Sequence, residues 1–93
     1  MIEIPCIIKV DSEEKSIAVQ KILFSMDIIW TTDSTGKVQN TDLPLLHIEH
    51  DNFVLKPTIT ASNLDYLGYN DRYNSWRLYD AEELLYIETI KLL

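Results

Sequence analysis

The chain has 93 residues, 46% of them apolar and 10% aromatic, and its 15 acids against 8 Lys and Arg give a formal charge of −7. That length makes a single domain, 1–93, with a thin core. The composition is that of a folding chain rather than a disordered one. The acidic balance works against nonspecific binding to nucleic acid or to anionic membrane, because both need clustered Lys and Arg to displace counterions.

Ile2 to Val10 reads as the first strand, with Ile4, Cys6, Ile8 and Val10 alternating against Glu3, Pro5, Ile7 and Lys9. Pro5 has no N–H to give a ladder, so the strand is expected to start late or to lie at an edge. Cys6 is the single cysteine, and its apolar neighbours predict a buried, inert thiol in a reducing, cytoplasmic setting. The acid at Glu3 and the absence of a basic start followed by a long apolar run argue against a signal peptide.

Asp11-Ser12-Glu13-Glu14 then opens a helix, with Asp11 as the expected cap and Glu14 as its reciprocal partner. Val19, Ile22, Leu23 and Met26 follow at helical spacing and form one apolar stripe for a sheet. Ile17 and Phe24 fall roughly opposite that stripe, among Glu13, Glu14, Gln20 and Lys21. Two apolar side chains on a wet face suit either a neighbouring loop or an oligomer or partner contact, and Ile17 and Phe24 are the candidate residues for the latter.

Asp27 to Thr32 is β-branched and aromatic and predicts the second strand. The polar run from Asp33 to Pro44 is turn chemistry. Residues 45–50 and 52–57 are expected to pair as a hairpin about Asp51-Asn52. Beyond Pro57 the chain can continue as a strand or begin a helical turn, and 75–79 is a short strand candidate. Asp80 with Glu83 repeats the capping pattern and favours a helix over about 81–92, against a strand-like Tyr86 to Ile90. The expected class is therefore α+β: a small mixed or antiparallel sheet with a β-α-β-β-β core, one main helix on one face and a C-terminal helix.

The run from Ile7 to Trp30, followed by Asn40 to Val54, resembles small phage-encoded α/β accessory proteins, in which a strand, a helix ending in Leu-Phe, a Trp-bearing strand and a D-x-P-x-L hairpin entry follow one another. Val19, Gln20, Leu23, Phe24, Trp30, Asp42, Pro44 and Leu46 are the matching positions, and the likeness covers roughly residues 4–57. A glycine is usual in the turn after the helix, where this chain has Met26-Asp27. The resemblance implies a viral accessory protein that blunts a host system, in the cytoplasm of the host cell, and it brings no catalytic residue with it.

The chemistry-bearing motifs are few. With glycine at 36 and 68 alone, no phosphate-cradling loop can form, and one cysteine makes no zinc knuckle. His47 and His50 point to opposite sides of a strand, so they read as exposed hairpin histidines, not as a metal pair. No catalytic residue, metal or cofactor is expected.

Residues 67–80, LGYNDRYNSWRLYD, hold both arginines and three of the five tyrosines. Tyr69, Arg72, Tyr73, Trp76 and Arg77 are the candidate ligand- or partner-binding residues, since aromatic faces stack and guanidinium forks bind phosphate or anchor interfaces. The competing reading packs Tyr69, Tyr73 and Trp76 on the sheet, with the arginines paired to Asp71 or Asp80.

The sequence thus points to a non-enzymatic protein that binds and inhibits a host protein, of a defence system on the phage analogy. A homodimer is a further expectation. The alternatives are a nucleotide-binding sponge working as an oligomer and an acidic DNA mimic. No membrane and no direct nucleic-acid partner are expected.

Overall fold

A computed structural model describes residues 2–33, 35–63 and 75–92, with side chains described as far as Tyr86 in the last helix. Five strands form one mixed sheet: β1 (Cys6–Lys9), β2 (Ile29–Trp30), β3 (Leu45–Asp51), β4 (Lys56–Ser62) and β5 (Arg77–Asp80), in the spatial order β2-β4-β3-β1-β5. Among the described residues two helices, α1 (Glu13–Ser25) and α2 (Ala81–Leu92), accompany the sheet. The α+β class is the expected one. The sheet is mixed: β3 is antiparallel to β1 and β4, while β5 runs parallel to β1 and β2 parallel to β4.

β1 begins only after Pro5, as a missing N–H dictates. It lies inside the sheet between β3 and β5, not at an edge. Cys6 and Ile8 turn to the helix side and join Leu46, Ile48 and Ile59 of the neighbouring strands, Val19 and Leu23 of α1 and Leu84 of α2 in one core. Ile7 points the other way and is just as buried.

Ser12, not Asp11, caps α1: its extended backbone lets Oγ accept from Lys15 N–H at 3.1 Å. Asp11 instead faces Lys15 across one turn at 3.0 Å. Both residue types cap well, and the choice went to the one whose register leaves its neighbour an i,i+4 ion pair. At the other end Asp27 N–H donates to the Phe24 carbonyl and Ile28 N–H to the Leu23 carbonyl, with Asp27 at φ 60°. This is the left-handed helix stop that glycine usually fills, and aspartate is among the few other residues that accept it. Leu23 and Ile28, which flank the stop, both pack into the core.

Three further expectations about these elements need correction. β2 has two residues in place of six, because the chain turns at Thr31 and Asp33 bridges back to Trp30. Gln20, read as part of a wet face, is fully buried. Residues 52–55, read as the start of a second hairpin strand, are the turn, and β4 begins at Lys56.

Gln20 is buried because the 35–44 segment folds back over α1 and is anchored there through Gln39. Its Nε2 donates to Ser16 Oγ at 3.0 Å and to the Gln39 carbonyl at 2.6 Å. Its Oε1 accepts from Trp30 Nε1–H at 3.1 Å and Gln39 N–H at 2.9 Å. Two donors and two lone pairs are all engaged, the full capacity of an amide. Gln39 Nε2 continues the chain to Asp33 at 2.9 Å, and Thr35 donates to the same carboxylate, which holds the Asp33 pKa below its usual value.

β1 ends and both helices begin at one end of the molecule; the β3–β4 turn, the end of α1 and the start of β2 lie at the other. Lys15 ties the first turns of α1 and α2 by pairing with Glu82.

Candidate functional site

The largest run of exposed apolar surface among the described residues is the β3–β4 turn. Asp51 ends β3 opposite Lys56, so four residues must reverse the chain. Asp51 Oδ1 accepts from Phe53 N–H at 2.7 Å and from Val54 N–H at 3.3 Å, and the Asp51 carbonyl accepts from Leu55 N–H at 2.8 Å. A side chain that bonds its own following backbone is what makes Asp a turn former. The price is at Leu55, which closes the turn at φ 59°, a conformation that costs a Cβ-bearing residue about 1–2 kcal/mol.

The result is a fixed loop that holds Phe53, Val54 and Leu55 away from the core, at 98%, 52% and 74% exposure. Isolated exposed apolar residues are ordinary on protein surfaces, whereas a contiguous cluster on a projecting element marks a place where something docks. Beside it stand Asp51 and Asp27, with Lys56 Nζ held 3.5 Å from Asp27. No basic residue occupies the last turn of α1, so the negative end of that helix adds to the same field.

Leu55 gives a test of whether the tip serves the fold. Leu55→Gly removes the backbone penalty and an exposed side chain, so the variant should melt no lower than the wild type. A fall of about 4 °C or more, equivalent to roughly 1 kcal/mol in a domain of this size, would show that Leu55 has a structural job.

The opposite end of the sheet carries an open cleft of about 330 Å³ lined by Lys9, Val10, Asp11, Pro44, Leu45, Asp80 and Glu82. Its acids face the start of both helices, where they complement the positive helix ends. Lys15 holds Glu82 in its charged form and lowers the carboxyl's pKa, while Lys15 itself is raised by Glu82 and then Asp11. These are exposed capping interactions, and they converge on no buried polar group.

Of the residues singled out in the sequence, Trp76, Arg77, Ile17 and Phe24 lie among the described residues. Trp76 is half-buried and sets its ring edge-on to His47, centroids 6.5 Å apart. Arg77 is exposed and lays its guanidinium over the Tyr79 ring at 5.1 Å. Tyr79 is buried, and its hydroxyl accepts from Glu3 N–H at 2.9 Å. Tyr69, Arg72 and Tyr73 lie outside the described residues. Ile17 and Phe24 are each half-buried, and Phe24 packs against the core.

His47 corrects the expectation of exposed hairpin histidines. It is buried on the sheet face away from α1, with Nε2 2.9 Å from Ser62 Oγ, while His50 is exposed. Among the described residues no three His, Cys, Asp or Glu side chains are grouped to hold a metal. No helix among them is long and apolar enough to cross a membrane.

Cys6 is fully buried, and burial pushes its thiol pKa up to about 12. The reactive thiolate is therefore suppressed at neutral pH. Ellman's reagent should label native Cys6 only as fast as the protein unfolds, and label it at once in denaturant. Rapid stoichiometric labelling of the native chain would contradict this placement.

No family model, no curated protein and no solved structure matches this chain.

Proposed function

We propose that this chain is a non-catalytic binding protein that acts by occupying a surface of another protein, an inhibitory accessory factor of the kind its resemblance to small phage-encoded proteins suggests. The observation that carries this reading is the ordered turn that exposes Phe53, Val54 and Leu55 together. A chain this small has little apolar material to spare. Three such side chains placed where they add nothing to the core are best explained by a partner that covers them. Interface energy concentrates in a few aromatic and aliphatic anchors, so a tip of this size is sufficient to dominate an encounter.

The test is affinity capture with the tagged full chain, side by side with a Phe53→Ser, Leu55→Ser double variant, from cells of the host in which the protein is active. The reading expects a protein recovered in stoichiometric amount by the wild type and lost from the double variant, whose thermal melting is unchanged. Recovery of the same proteins by both chains would overturn it.

A further inference from the structure

We infer that the receptor for the β3–β4 tip is a concave apolar pocket on a partner protein with Lys or Arg side chains at its rim; this rests on the protein-binding reading above and adds the chemistry of the partner's site. Shape supplies the first argument. Phe53, Val54 and Leu55 project from a four-residue turn, so the surface they offer is convex. Against a flat or equally convex surface, such as the tip of a second copy, a knob of three residues falls well short of the roughly 800 Å² per partner that stable protein pairs bury. A pocket surrounds the same knob and desolvates nearly all of it.

Charge supplies the second. Asp51 opens the tip and Asp27 stands beside it, set against one neighbouring cation, Lys56, which Asp27 engages at 3.5 Å, and the negative end of α1 adds to the two acids. The chain as a whole carries −7, so a second copy is repelled and so is an anionic lipid surface. A membrane-inserting tip would instead be flanked by Lys and Arg. A cationic rim is the complement that steers this surface in and discriminates against other apolar pockets.

Order supplies the third. Asp51 holds the backbone of Phe53 and Val54, and its carbonyl holds Leu55. The tip is already in one shape, and insertion gives up little conformational freedom. Phe53, almost wholly exposed, is the anchor, with Val54 and Leu55 as its shoulders.

The experiment places a benzophenone amino acid at position 54 of the full chain, irradiates it in host cells and sequences the cross-linked peptides. The expected result is cross-linking to one protein, at apolar residues with Lys or Arg close by. The yield should fall about tenfold or more when Phe53→Ser is added. In lysate it should also fall several-fold on going from low salt to about half-molar salt. Cross-linking that survives salt unchanged, or peptides with no basic residues, would overturn the cationic rim while leaving the protein-binding reading intact. A cross-linked homodimer, or flotation of the wild type with phosphatidylcholine–phosphatidylglycerol vesicles, would overturn the proposed receptor in favour of a second copy or a membrane. No cross-link from position 54, together with no partner in the affinity capture, would sink both.

Discussion

Gln20→Leu is expected to lower the stability of this domain by about 3 kcal/mol and its melting temperature by on the order of 15 °C. Leucine is nearly the size of glutamine and apolar, so a pattern-based view of a helix facing a core would score the change as harmless or favourable. The hydrogen-bond account says otherwise. Trp30 Nε1–H, Gln39 N–H and the Gln39 carbonyl all lose their partner on Gln20 at once. Each unsatisfied buried group costs about 1–3 kcal/mol, and the half-buried Gln39 recovers part of this from water. The segment around Gln39 loses its anchor on α1, so protection of the Gln39 amide from exchange should drop as well. Lys21→Ala, next in sequence and exposed, is the control and should cost no more than about 0.5 kcal/mol. A loss for Gln20→Leu of under about 1 kcal/mol would mean that the amide network does not hold the loop.

Phe53→Ala should do the opposite: leave the fold untouched and disable binding. The side chain is 98% exposed and supports nothing in the core. Its removal should therefore shift melting by less than about 2 °C, or even raise it slightly. For the partner, a fully desolvated aromatic anchor is worth about 2 kcal/mol or more, which is a loss of affinity of about 30-fold or more. Most of that loss should appear as faster dissociation, because the flanking acids that steer the encounter remain. Calorimetric titration and thermal melting of the same preparations separate the two effects. An affinity within about threefold of the wild type would remove Phe53 from the interface.

These two positions also explain where the sequence could be read and where it could not. The strand–helix–strand opening was legible because its signals are local. Alternation through Cys6 and Ile8, the stripe of Val19 and Leu23, and acids at a helix start each follow from spacing alone. Asp80 with Glu83 was a true helix signal too: Glu83 Oε2 accepts from Asp80 N–H at 2.7 Å. Gln20 was missed because helical periodicity treats every polar residue as solvent-facing, and nothing local announces that a distant loop will return to claim its amide. The hint was Trp30, an indole that needs an acceptor once buried.

The tip was missed for a different reason. Phe, Val and Leu are good strand formers, so residues 52–57 read as a strand with its turn at Asp51-Asn52. The hydrogen bonds of Asp51 moved the turn forward by two residues and put those same side chains on its outside. Of the tail residues proposed for binding, Trp76 and Arg77 are placed on neighbouring aromatics, His47 and Tyr79. Composition alone could not show either contact, since each depends on how the fold brings the side chains together.

The claim that this protein works through its β3–β4 tip is tested most directly by mapping the bound surface. Isotope-labelled protein would be titrated with the partner captured at position 54, and its backbone amide resonances followed by NMR. The account predicts that the largest changes centre on Asp51 to Lys56 and fade along β3 and β4 towards Leu45 and Ser62. Changes centred instead on Trp76 to Asp80, or on the face of α1 that carries Ile17, with the tip unmoved, would contradict it.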